Sequence, residues 1–573
     1  MNVTINGKRC AARQGETLLA VAEREGIKIP TLCALKDLSP TGACRVCVVE
    51  AEGQRNLVPA CAYPASEGLE VRTNSPRVRR ARKTIIELLI ANHPQDCLVC
   101  ERNQTCELQH LAREYDVRMR RYHGKRRRGK IDVASPAIER DVEKCILCGR
   151  CVRVCHEVQN VGAIDFANRG FRSVVAPAME RSLNTVACVE CGQCVLVCPV
   201  GALGEKSSGK PVWEAINSPA RTVVAQVAPA VRAALGEEFG LPAGTLVTGK
   251  IVAALRRLGV DRVFDTNFSA DLTIMEEGHE LLERVKSGGT LPLLTSCSPG
   301  WVAYIEHFYP DLLPHLSSCK SPHEMQGALL KSAYAERIGL DPSSVFVLSI
   351  MPCTAKKFEA QRPELGAQGP DVDAVLTTRE LARMIRAAGI DFARLPDEPF
   401  DDPMGDATGA AALFGASGGV MEAAVRTVYH VLTGGEMSSL EFSPIRGADS
   451  IRRAEVTIGD RTLRLAAVSG LRAVGPILDA IRAGESPYDF IEVMACPGGC
   501  VNGGGQPRSA DPARVRKRTE SMYALDRDTP VRCSHHNQSI QHLYDTFLEA
   551  PGSHLAHKLL HTEYIDRSSG TRS

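Results

Sequence analysis

The stretch Glu492-Val-Met-Ala-Cys-Pro-Gly-Gly-Cys-Val-Asn-Gly-Gly-Gly-Gln-Pro507 sets the terms on which the rest of the chain is read. Cys496 and Cys500 stand four apart beside Gly498, Gly499, Gly503, Gly504 and Gly505. Thiolates select soft metals and iron–sulfur clusters, and glycines let backbone approach a bulky neighbour without a Cβ clash. Alone, the pattern also fits a structural turn. Two earlier stretches carry matching chemistry, Thr295-Ser-Cys-Ser-Pro-Gly-Trp301 and Met351-Pro-Cys-Thr-Ala-Lys-Lys357.

At 573 residues the chain exceeds what one core supports, which predicts several domains. Apolar content of 44% and charged content of 24% belong to a globular protein. A net charge of +2 argues neither for nucleic acid nor for a membrane as a partner. The N-terminus has no apolar signal core, and no apolar run reaches the ~20 residues of a membrane span. Sixteen of the 22 cysteines precede residue 199. That skew points to metal ligation rather than a disulfide framework, and to a cytoplasmic redox protein.

In chain order, residues 1–78 open with an alternating strand pattern at Val3 and Ile5 and a short helix over Glu16–Gly26. Cys33, Cys44, Cys47 and Cys61 follow, and only one pair of them is close, whereas four zinc thiolates usually form two close pairs. Cys10 falls outside the pattern and reads as a core thiol. An amphipathic helix ending at Asn92 then delivers His93, Cys97, Cys100 and Cys106, a set that by itself suits zinc. The basic run Arg118–Lys130 reads as a solvated loop or as a docking patch for an acidic electron carrier.

Cys145, Cys148, Cys151 and Cys155, then Cys188, Cys191, Cys194 and Cys198, repeat the bacterial ferredoxin spacing. The fourth cysteine of each such run ligates the other cluster. One 4Fe–4S cluster thus takes Cys145, Cys148, Cys151 and Cys198; the other takes Cys188, Cys191, Cys194 and Cys155. Beyond residue 210 cysteines become rare and strands alternate with helices. Thr222–Val227, Ser344–Ile350 and Phe490–Val493 read as buried parallel strands of an α/β fold. Cys353 and Cys496 fall just beyond strand carboxyl ends, where open sheets place ligands. The tail is rich in histidine. His535, His536 and His554 are not at metal spacing and read as surface or packing residues; Cys533 is unassigned.

The three thiol stretches, in this order, resemble the active-site signatures of the FeFe-hydrogenases, and the resemblance covers essentially the whole chain. It implies a multidomain α+β and α/β protein. Its parts would be a β-grasp ferredoxin-like 2Fe–2S domain (1–78), a His-ligated 4Fe–4S domain with a basic linker (79–130) and a bacterial-type two-cluster ferredoxin domain (131–209). A two-lobed α/β H-cluster domain (210–515) and a small-subunit-like segment (516–573) would follow. The implied cofactors are one 2Fe–2S cluster, three accessory 4Fe–4S clusters and an H-cluster, a cubane joined by a thiolate to a diiron unit carrying CO, cyanide and an azadithiolate.

The resemblance also implies roles. Cys353, Cys496 and Cys500 would hold the cubane, with Cys500 bridging. Lys356 would donate a hydrogen bond to a cyanide, and Met351 and Met494 would line the diiron pocket. Protons would pass along Cys297, Glu277, Ser317 and Glu280; Glu277 and Glu280, three apart in Met275-Glu-Glu-Gly-His-Glu280, share one helix face. A solvated helix face is the plainer reading of those glutamates. Implied partners are ferredoxin or NAD(P)H-oxidising flavoprotein subunits, and hydrogenase maturases. The chain departs from the pattern once. Ser298 stands where the family has a second cysteine, so either Ser298 or solvent completes the cubane, or Cys297 is drafted as ligand. Two other readings stand beside this one, a non-catalytic electron-wiring subunit like that of NADH dehydrogenase and a hydrogen sensor.

Overall fold

The computed structural model describes residues 1–366, 369–402, 404–458, 461–509 and 511–568. The chain forms two compact units. The first comprises Met1–Glu157, Gly162–Val186 and Val197–Gly204; the second comprises Val158–Val161, Ala187–Leu196 and Glu205–Ser573.

The first unit begins with a five-stranded sheet in the order Lys8–Ala11, Asn2–Ile5, Glu70–Arg72, Val48–Ala51, Val58–Pro59. Asn2–Ile5 pairs antiparallel with Lys8–Ala11 and parallel with Glu70–Arg72. Period-two alternation turns Val3 and Ile5 inward, against Leu18 and Val21 of the Leu18–Arg24 helix. Cys10, 1% exposed, sits in that core as a plain apolar group. The next helix, Pro76–Asn92, starts on a Ser75 cap whose hydroxyl accepts from the Val78 N–H, and Pro76 supplies the first-turn φ without wasting a donor. It stops at His93.

The second unit holds two four-stranded sheets. The first runs Arg262–Asp265, Thr222–Val227, Val345–Met351, Ala374–Thr377, all parallel and buried on both faces, which explains their continuous apolar sequence. The second runs Leu293–Leu294, Phe490–Met494, Arg461–Ser469, Ile451–Ile458, with only the last pair antiparallel. In Phe490–Met494 the alternation divides the side chains. Ile491 and Val493 join one apolar cluster with Trp301 and Leu471; Phe490 and Met494 join another with Val420 and Ile274. The helix expected over Leu272–Lys286 extends from Thr266 to Ser287. The one expected over Pro322–Ile338 is interrupted, passing from Pro322–Leu329 into a wider π turn at Leu330–Tyr334. Among the described residues no helix is long and apolar enough to cross a membrane.

Candidate active site

Three loops leave strand carboxyl ends in the second unit and meet. Leu293–Leu294 runs into Thr295–Ser298, Val345–Met351 into Pro352–Cys353, and Phe490–Met494 into Ala495–Cys500. The loops are tied by hydrogen bonds. Val493 N–H donates to Thr295 Oγ1 at 3.1 Å, Ala495 N–H to Ser298 Oγ at 3.2 Å and Gly505 N–H to the Pro352 carbonyl at 2.8 Å. Trp301 Nε1 donates to the Thr295 carbonyl at 2.9 Å.

The glycines of the opening stretch are required by contact. A Cβ on Gly499, whose φ is +97°, would lie 2.5 Å from Ser417 N; one on Gly504 would lie 2.4 Å from the Cys191 carbonyl. Glu492 anchors the strand before them. Its carboxylate accepts the N–H groups of Gly418 at 2.6 Å and Met421 at 2.9 Å, two orphan donors at the start of the Gly419–Thr433 helix.

Cys353, Cys496 and Cys500 are brought together, and Cys191 lies near enough to act electrostatically on Cys496. Burial pushes all three thiols upward, Cys500 to about 12, and the neighbouring sulfurs add to the shift at Cys496 and Cys500. Without a metal they would be neutral thiols crowded in a dry site. Three soft sulfur donors in such a place fit an iron–sulfur cubane. Lys356 is buried beside them, donating to the Cys297 carbonyl at 3.3 Å and pairing with Glu359 at 2.6 Å. Met351 and Met494, 2% and 3% exposed, end their strands at the same place.

Cys297, Glu277, Ser317 and Glu280 also lie near one another. Glu277 is buried, with the Ser317 hydroxyl and the Ser296 backbone close to its carboxyl. Burial, reinforced by the charge of Glu280, lifts it to about 8. Glu277 in turn raises Cys297, whose own burial is the larger cause. Ser317 Oγ donates to Glu280 Oε2 at 2.8 Å, and Glu280, at the edge of solvent, pairs with Arg284 at 2.6 Å.

In the first unit, Cys33, Cys44, Cys47 and Cys61 are brought together, Cys33 acting on Cys44 and Cys61, and Cys47 on Cys61. His93 Nδ1 is 2.7 Å from the Pro94 carbonyl, while its buried Nε2 has no partner. That is the posture of a ligating imidazole. His93, Cys97 and Cys106 line one cavity, and Cys100 acts on Cys106. Cys145, Cys148, Cys151 and Cys198 line another with Val175 and Val200. Cys155 belongs to the first unit and Cys188, Cys191 and Cys194 to the second.

A family model described as iron only hydrogenase large subunit, C-terminal domain, matches residues 221–504. The chain is 49% identical over 580 residues to the NADP-reducing hydrogenase subunit HndD of Solidesulfovibrio fructosivorans, covering 99% of each. It belongs to the iron-only hydrogenases. Its activity is the interconversion of dihydrogen with protons and electrons. The hydrogenase is also 40% identical over 570 residues to iron hydrogenase 1 of Clostridium pasteurianum, covering 98% of this chain and 99% of that one. The solved FeFe-hydrogenase HydA1 of Chlamydomonas reinhardtii matches with a TM-score of 0.58 and 42% identity, over 63% of this chain and 99% of that one. Further family models match residues 1–76 (2Fe-2S iron-sulfur cluster binding domain), 82–121 (NADH-ubiquinone oxidoreductase-G iron-sulfur binding region), 144–202 (4Fe-4S dicluster domain) and 512–567 (iron hydrogenase small subunit).

Sequence reasoning passed over several residues here. Glu359 lies three residues beyond Lys356 on one short helix, a spacing that signals a pair. Glu492 and the buried His323, 2.6 Å from Glu359, gave no such signal. The expectation that Arg126, Arg127 and Arg128 help to dock an acidic carrier is corrected at Arg127, which is buried and donates to the Cys145 carbonyl at 2.9 Å; Arg128 stays exposed and pairs with Glu143 at 3.3 Å.

Proposed function

We propose that the chain performs this chemistry at an H-cluster whose cubane is held by Cys353, Cys496 and Cys500. The observation that carries the reading is a buried carboxyl, Glu277, set between a buried thiol and the Ser317–Glu280 pair. When bound, the cluster supplies the metal centre at which dihydrogen is split and its electrons are taken up. Lys356, fixed by Glu359, would hold a hydrogen-bond donor toward the diiron ligands, and Met351 and Met494 would exclude water. Cys297 Sγ would exchange the proton with Glu277. Because Ser317 donates its hydrogen to Glu280, its oxygen can accept a proton from Glu277 as its own moves on. An infrared spectrum of maturase-matured protein tests the reading: CO and cyanide bands are expected, and their absence in iron-replete protein would return the chain to an electron-wiring role.

The accessory set is one 2Fe–2S cluster on Cys33, Cys44, Cys47 and Cys61, a His-ligated 4Fe–4S cluster, and two all-cysteine 4Fe–4S clusters. The unpartnered Nε2 of His93 supports imidazole ligation, which makes a cluster less negative and raises its potential. Iron analysis of reconstituted protein lacking the diiron unit should approach about 18 atoms per chain. A value near 10 with zinc present would overturn the assignment.

For partners, the HndD relative's description as an NADP-reducing subunit favours NAD(P)H-oxidising flavoprotein subunits, with ferredoxin the other choice, in the cytoplasm. The exposed cations Lys125 and Lys130 are the charges suited to steer an acidic carrier. Reversing both to glutamate should raise the carrier's apparent KM several-fold at low salt and much less at high salt. An equal KM at both salt levels would make the run a plain solvated loop.

A further inference from the structure

The C-terminal segment carries a second cluster of ligand-type side chains, away from the thiol site. His535 and His536 lie on the short turn Ser534–His536, and both rings meet Glu436 and His430. His430 is in the last turn of the Gly419–Thr433 helix, and Glu436 lies just past its Gly434 cap. Glu436 Oε1 is 2.8 Å from His430 Nδ1, 3.2 Å from His535 Nε2 and 3.3 Å from His536 Nε2. The four donor atoms all fall within 4.8 Å of one another.

Hydrogen bonding alone does not account for this arrangement. One carboxylate oxygen offers two lone pairs, yet three ring nitrogens converge on it. The buried His430 Nδ1 approaches that oxygen at 2.8 Å without the alignment of a hydrogen bond. Three imidazoles also crowd here, with ring centroids 4.1, 4.3 and 5.6 Å apart, an arrangement that protonation would disrupt by like-charge repulsion. A cation at the centre resolves both difficulties, because each nitrogen and the oxygen then gives a lone pair to it. The separations suit this. Tetrahedral ligands on bonds of about 2.0–2.1 Å lie about 3.3 Å apart; two of the three separations from Glu436 Oε1 match this, the His430 one is a few tenths of an ångström short, and all four donors stay within 4.8 Å of one another.

The surroundings point the same way. Thr427 Oγ1, 3.1 Å from His535 Nδ1, engages the nitrogen that faces away from the cluster and orients the ring. Cys533 Sγ holds the other carboxylate oxygen, Oε2, at 3.9 Å. The carbonyl end of a 15-residue helix at His430 favours positive charge. The nearest cations are already engaged, Arg426 with Glu422 and Asp526, and Arg532 with Asp526.

We propose that His430, Glu436, His535 and His536 form a structural site for one divalent cation of the zinc class. Three nitrogens and one carboxylate oxygen are the donors borderline metals prefer. Two ligands come from the body of the catalytic unit and two from the segment matched by the small-subunit family model. The cation therefore fastens that segment to the Gly419–Thr433 helix. It has no part in dihydrogen chemistry.

The test titrates cluster-loaded, chelator-washed enzyme with zinc under anaerobic conditions. Wild type should take up one equivalent. His536→Ala, on a side chain 48% exposed, should keep the fold and weaken binding at least tenfold, and His430→Gln/His536→Ala should abolish it. The zinc absorption edge of the wild type should show a nitrogen and oxygen shell without sulfur. Uptake unchanged in the double variant, a sulfur-containing shell, or no uptake by wild type at micromolar zinc would each overturn the proposal.

Discussion

Glu277→Gln is expected to lower turnover by about three orders of magnitude while every cluster signal stays intact, since an amide neither gives up nor accepts a proton near neutral pH. The size of the effect follows from position. Glu277 is buried between the Cys297 thiol and Ser317, so an amide there interrupts the relay between them. Its acidity is poised for traffic in both directions, because burial and Glu280 lift it to about 8. Below that value Glu277 is protonated and can donate; above it the carboxylate accepts. Evolution of dihydrogen should therefore fall as pH rises through about 8. A variant retaining most of the wild-type rate would remove Glu277 from the route.

The same shift has a thermodynamic sign. A carboxyl whose folded pKa is raised favours folding while protonated, and that contribution is lost as pH climbs from the unfolded value through about 8. Glutamine cannot ionise, so the variant should lose less stability between pH 6 and 9 than wild type. Melting curves at the two pH values would show it, and equal losses would mean that Glu277 does not titrate there.

Cys297→Ala is expected to be nearly as damaging, by at least two orders of magnitude in turnover, with the cubane's EPR signal retained. The competing outcome is loss of the cubane itself, which would make Cys297 the ligand in place of the missing second cysteine. Chemistry leans toward that outcome, because a hydroxyl ionises far less readily than a thiol of pKa roughly 8.5 and is a harder donor. Geometry leans the other way. Ser298 Oγ accepts from the N–H of Ala495, directed to the segment that bears Cys496, whereas the Cys297 thiol feels Glu277 and Cys500. Adjacent residues in extended chain face opposite ways, so one position serves the cubane side and its predecessor the proton side. Ser298→Cys should then stabilise the cubane without lowering turnover.

Much of this was legible in the sequence because ligands come in short spacings. The ferredoxin repeat, the His93 set and the strand-end cysteines are local patterns, and the apolar runs of 222–227 and 490–493 became buried parallel strands. What stayed hidden depends on partners distant in the chain. His535 and His536 have no metal spacing in their own segment, since their companions are a helix end and a loop about a hundred residues earlier. Glu492 reads as an anomaly in an apolar strand until the helix start that uses it is seen. Arg127 lies in a run of surface-type charges, and only the fold turns it inward to Cys145.

The close approach of Gly504 to Cys191 and Gly192 bears on how the enzyme could be cut down. The thiols of 187–196 pack within the catalytic unit, and a Cβ on Gly192 would lie 2.3 Å from Thr354 Oγ1 and 3.0 Å from Gly504. A chain trimmed at the apparent ferredoxin boundary near residue 210 would lose this strip and open the back of the thiol loops to water. A minimal enzyme has to bring its own plug for that groove, whether the strip itself or a substitute of the same shape.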